Sequence, residues 1–155
     1  MSYLLIALLF SVRPVDPTAI ATLDFAFQRS AMIRQLIDTL ERSNVIVHIQ
    51  SARELPSGIA GMTRFAVSRS GYRYLRITID ARLPLTARGI ILGHELQHAC
   101  EIAASSADDV ASLRALFDRA GRRIDGFYDT REAVIVEKHV GRELSAPNGP
   151  IGSRR

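Results

Sequence analysis

His94-Glu95-Leu96-Gln97-His98 sets two imidazoles four residues apart with a carboxylate beside the first. An α-helix turns about 100° and rises about 1.5 Å per residue, so positions four apart lie about 40° apart around the axis and about 6 Å along it. Both rings can then face one point. Glu95 lies about 100° round from His94 and flanks that point, which suits a base handling water more than a third ligand. The chemistry implied is hydrolysis assisted by a divalent metal ion. A random chain of this length carries the pattern with a probability on the order of 1%. The bland alternative is a pair of surface or core histidines.

The spacing means little unless the segment is helical. Ile90, Ile91, Leu92, Leu96, Ala99, Ile102 and Ala103 keep apolar residues running through it, and Thr86 can cap its start, which predicts a helix over about 87–104. Gly89 and Gly93 oppose helix by about 1 kcal/mol each, a cost accepted where a neighbouring element must come close. Burying two imidazoles and a carboxylate among these residues is costly unless something pairs them.

The run from Gly93 to Ala99, followed by Glu101, resembles the active-site helix of small bacterial zincin-type proteins of the gluzincin kind. More loosely, the resemblance extends from about Asn44 to Leu144. It implies a zincin-like fold, one zinc ion, and peptide-bond hydrolysis in which Glu95 assists attack by zinc-activated water. Gluzincins take their third ligand from an acid on a later helix, and Phe127-Tyr128-Asp129-Thr130-Arg131-Glu132-Ala133 opens such a helix, running to about Leu144. Asp129 is the first candidate and Glu132 the alternative. Asp is one methylene shorter than Glu, so its helix must approach the metal more closely.

Asp129 and Glu132 also read as a helix start, with Asp129 as N-cap and Glu132 reaching back from the third helical position. His139, seven residues after Glu132, is a further possible ligand. Glu101 shares a face with His94 and His98 and can either orient a metal-bound imidazole or pair with an arginine. Cys100 points about 200° from His98 and reads as a small core residue. Tyr128, Arg131 and His139 are near enough in sequence to be oxyanion donors, and none is assigned.

The elements that must position these groups read as α+β. Asp16 and Pro17 cap and open a helix to about Gln28, and Ser30 starts another carrying Met32, Ile33, Leu36, Ile37 and Leu40. Val45–Ile49, Gly61–Ser68 and Tyr72–Ile79 are strand-like, with Ser70-Gly71 turning between the last two. The expectation is N-terminal helices, a small three-stranded sheet, the motif helix and following helices. One strand should border the cleft and pair with an extended substrate. His48 lines that cleft or faces solvent, according to strand register.

At 155 residues and 47% hydrophobic content, the chain supports one core, here a domain over 16–144 followed by a Pro- and Gly-rich tail over 145–155. Residues 1–15 form an apolar N-terminal segment. Its run from Leu4 to Phe10 is too short to span a membrane and barely long enough for a secretory signal, and no basic residue precedes it. A truncated signal and a core segment both fit, leaving export and cytoplasm open. The single cysteine excludes an internal disulfide. The net charge of +4 comes from arginines scattered among 16 acids, with Lys138 the only lysine. No nucleic-acid motif and no firm membrane signal accompany it, so a mild preference for acidic partners is what the balance supports. Two functions follow: a zinc metallopeptidase acting on a peptide or protein, or a non-catalytic Arg-rich interaction module with a structural metal or none.

Overall fold

A computed structural model describes residues 10–124 and 127–147. The apolar run before Phe10 and the tail from residue 148 lie outside the described residues. Among those described, the chain is α+β, with five helices, a four-stranded mixed sheet and a two-stranded one.

The helices are α1 (Pro17–Arg29), α2 (Ala31–Glu41), α3 (Leu85–Ala103), α4 (Val110–Ala120) and α5 (Arg131–Ser145). The strands are β1 (Val12–Pro14), β2 (Val45–Ala52), β3 (Gly61–Arg69), β4 (Tyr72–Asp80), β5 (Arg122–Ile124) and β6 (Phe127–Asp129). Asp16 caps α1 through Ala19 N and also accepts from the Ser51 amide and hydroxyl, so one carboxylate starts the helix and ties it to β2. Ser30 caps α2 by accepting from Ile33 N.

The main sheet has the order β1-β2-β4-β3. β1, β2 and β4 run parallel, and β3 runs antiparallel to β4 as an edge strand. Three strands were expected. The fourth, Val12–Pro14, is too short to show a period in sequence and is extended because it pairs with Val47–Ile49. Alternation sends Val12, Val47, Ile49, Leu75, Ile77 and Ile79 to one face, all at most 2% exposed, where the helices cover them.

The motif helix α3 packs on that face and against α1, α2 and α5. It is buried around much of its circumference, from Leu92 and Leu96 to Ala99 and Ile102, which is why its sequence shows little amphipathic contrast. Its two glycines mark where α5 crosses: a Cβ at Gly93 would come within 2.9 Å of Val140 Cγ2, and one at Gly89 within 2.7 Å of Leu144 Cδ1. The helix begins at Leu85, with Pro84 as N-cap and no side-chain cap bond. Thr86 therefore does not cap it, because the turn started at Pro84 already encloses that residue.

The end of α3 is held by Arg73 on β4, which is 8% exposed. Its guanidinium donates to the carbonyls of Ile102, Ala103, Ser105 and Ala107 and to Asn44 Oδ1. The carbonyls that a helix end leaves unpaired thus meet a buried cation fixed to the sheet.

Candidate metal centre

α3 presents His94 and His98 on one face, with Nε2 atoms 3.1 Å apart and rings nearly perpendicular at 77°. Asp129 Oδ1 lies 3.4 Å from His94 Nε2. The three ligand atoms all fall within 4.8 Å of one another. Ligand atoms around a tetrahedral zinc with bonds of about 2.1 Å would stand about 3.4 Å apart, the Asp129–His94 distance, with the two imidazole nitrogens slightly closer.

Carboxylates fix the imidazoles from behind. His94 Nδ1 is 2.8 Å from Glu137 Oε2, and His98 Nδ1 is 3.0 Å from Glu101 Oε2. A ring whose Nδ1 donates to its carboxylate keeps its Nε2 free as a ligand, and the two Nε2 atoms face one another at hydrogen-bonding distance. Asp129 Oδ1 faces the same point and is buried without a hydrogen-bond partner. The two Nε2 atoms and Asp129 Oδ1 thus form a group that could hold a cation. Two imidazoles and one carboxylate are a donor set for a divalent transition metal, zinc among them.

Glu101 joins two parts of this centre. Besides accepting from His98, it accepts at 2.7 Å from the hydroxyl of Thr130, the residue after Asp129. Burial pushes its carboxyl up, but the bonds from His98 and Thr130 outweigh that and hold it below the usual carboxylate range. Burial alone would lower the pKa of His98. The Glu101 bond and the charges of Glu95, Glu101 and Asp129 outweigh it and raise that pKa, as expected for a ring in a field of carboxylates.

Glu95 is 5% exposed and accepts a 2.7 Å hydrogen bond from Thr63 Oγ1 on β3. Burial raises its pKa, as does the Asp129 charge to a lesser degree, so the group favours a proton more than a solvated glutamate does. Space for it depends on Gly61, where a Cβ would sit 2.4 Å from Ile91 Cγ2 and 3.2 Å from Glu95 Oε1. A cleft of about 390 Å³ opens over Glu95 and His98, walled by β3 from Gly61 to Phe65 and by α4 through Val110, Leu113 and Phe117. Tyr128 also lines it, stacked on Phe117 at 5.4 Å between centroids.

Asp129 ends β6 and precedes the helix, whose N-cap is Thr130, accepting from Ala133 N. The cap reading of Asp129 is thereby replaced. With Thr130 serving the helix, the aspartate projects from a strand end toward α3, and the glycine contacts that draw α5 close let its short side chain arrive. Glu132 is exposed on the helix and takes no part in the cluster. His139 lies apart from it, half-exposed and 3.6 Å from Glu143. Cys100 is buried, donates to Leu36 O, and has its thiol pushed up to about 12 by burial. Sequence reasoning missed Glu137 and Thr63. The signal for Glu137 was a carboxylate bordering the apolar stripe Ala133, Val136, Val140 and Leu144; Thr63 carried none beyond strand parity.

Among the described residues, no helix is long and apolar enough to cross a membrane. Scanned against family models, curated proteins and solved structures, the chain matches none.

Proposed function

We propose that this chain is a zinc-dependent hydrolase of the zincin-like kind, cleaving peptide bonds. One observation carries the reading: His94 Nε2, His98 Nε2 and the partnerless Asp129 Oδ1 converge beside a buried glutamate that opens on a cleft. His94, His98 and Asp129 would hold the ion, which when bound supplies Lewis acidity, making water acidic and a carbonyl electrophilic near neutral pH.

The protein's own groups do the rest. Glu95, with its raised pKa, takes the proton from the attacking water and returns it to the leaving amine. Thr63 keeps the carboxylate aimed, and the apolar walls of the cleft limit access of bulk water. Glu137 and Glu101 fix both imidazoles in the tautomer that leaves Nε2 free. The outer edge of β3, which pairs with β4 on one side only, offers backbone groups to an extended peptide lying along the cleft.

Metal analysis of purified variants, combined with cleavage of a mixed peptide library, tests this. Glu95→Gln should retain zinc and lose turnover, and His98→Ala should lose both. A wild-type chain that binds no zinc at neutral pH would overturn the proposal in favour of an interaction module.

A further inference from the structure

The side of the main sheet that faces away from the helices carries a cationic row. Strand register places Arg13 on β1 opposite His48 on β2, His48 opposite Arg76 on β4, and Arg76 opposite Arg64 on β3. Directly paired residues point to the same face, so the row crosses all four strands, a span of about 14 Å at the usual strand spacing.

Three features make the row more than scattered charge. Like charges directly opposite one another are unfavourable, yet none of Arg13, Arg64 and Arg76 forms an ion pair among the described residues. Alternation leaves one carboxylate on that side of the strands, Asp80 at the far end, and Arg82 already holds it at 2.8 Å. Aromatic rings hold one half of the row: the Arg13 guanidinium sits 4.9 Å from the Phe10 centroid, and His48 stacks on Tyr74 with 11° between planes. Burial, then the charges of Arg13 and Arg76, hold the pKa of His48 below its usual value, so at neutral pH the row is a line of guanidinium groups around an uncharged ring.

One end of the row is β3, the edge strand whose other face walls the cleft. Arg64 points with the row to the far face, while its neighbours Thr63 and Phe65 face the cleft from the same strand. We propose that this sheet face binds an acidic stretch of polypeptide and, resting on the hydrolase reading above, that the stretch belongs to the protein substrate, which passes from the row around the free edge of β3 to the cleft. Guanidinium groups rooted in line across the strands suit carboxylates spaced along an extended chain, because each can take a forked hydrogen bond. A polypeptide also fits the site it leads to, since the same chain would continue along β3.

The test uses Glu95→Gln protein, to prevent cleavage, and fluorescence anisotropy with a labelled oligoglutamate peptide against oligoglutamine of equal length. Oligoglutamate should bind and weaken with added salt, and oligoglutamine should not bind. Arg13→Gln/Arg76→Gln should weaken binding about tenfold without changing zinc content or melting temperature, and Arg13→Lys/Arg76→Lys should recover part of it. Equal binding of the two peptides, or no loss in the Gln pair, overturns the inference. So does tighter binding of a single-stranded oligonucleotide or an anionic lipid vesicle that depends on the same arginines. Zinc without oligoglutamate binding removes this inference and leaves the hydrolase; oligoglutamate binding without zinc keeps the surface and removes its role in substrate capture.

Discussion

Replacing Asp129 with asparagine should invert the stability ranking of variant and wild type according to whether zinc is present. In the metal-free protein, Asp129 Oδ1 is a buried acceptor without a partner, and its charge raises the pKa of Glu95. An unpaired buried acceptor costs about 1–3 kcal/mol. The Asp129 side chain is 32% exposed, which places the cost near the lower bound, about 1 kcal/mol. Asparagine keeps the shape, drops the charge, and offers an amide N–H to the imidazole lone pairs. Urea unfolding in chelator should therefore find Asp129→Asn as stable as wild type or up to about 1 kcal/mol more stable, roughly 2–4 °C in a chain of this size. With zinc at about a hundred times its dissociation constant, wild type should gain about 2.7 kcal/mol, and the variant, with a poorer ligand, should lose most of that gain. If the variant is clearly weaker than wild type in chelator, or gains as much from zinc, Asp129 is structural and the reasoning is refuted.

Three further outcomes follow from other parts of the molecule. Arg73→Met should cost about 3 kcal/mol in urea unfolding, because it strips the donor from the buried Ala107 carbonyl and from the end of α3, and Arg73→Lys should recover only part. Thr63→Val removes the bond that favours ionised Glu95, so the acid limb of the pH–rate profile on a peptide substrate should move to higher pH and kcat should fall about tenfold or more, with Thr63→Ser close to wild type. Asp16, lowered because its bonds to Ala19 and Ser51 outweigh the effect of burial, stabilises the fold above its unfolded pKa and stops doing so as pH falls through its lower folded value. Asp16→Asn should accordingly be about 1 kcal/mol less stable at pH 7, with the gap closing below about pH 4 in paired urea titrations.

Local features made much of this legible from sequence. Asp16-Pro17 and Ser30 start helices because capping needs only a side-chain oxygen and the next three residues. Val45–Ala52, Gly61–Arg69 and Tyr72–Asp80 follow from their β-branched and aromatic content, and the turn between the last two from Ser70-Gly71, both at positive φ. The two imidazoles converge because helical geometry alone brings positions four apart onto one face. Thr86 fails as a cap because the helix already starts after Pro84, and the strand Val12–Pro14 escapes sequence reading because its partner, Val47–Ile49, is a neighbour only in space.

The chain's order of residues by itself determined that His94, Glu95 and His98 share a helix turn and that Gly89 and Gly93 leave that helix open to a neighbour. Tertiary structure decided which acid lies beside the two imidazoles, because Asp129 and Glu132 differ by only three residues in sequence but by a strand end and a helix surface in space. It also decided that Thr63, Glu101 and Glu137 serve the site, since each is aimed by an element that packs on α3 or by α3 itself, and hydrogen-bond direction depends on that packing. Pairing across four strands, likewise, turned three separate arginines into one line. A sequence encodes periodicity within an element; which elements meet depends on how glycine, alanine and branched side chains fill the space between them.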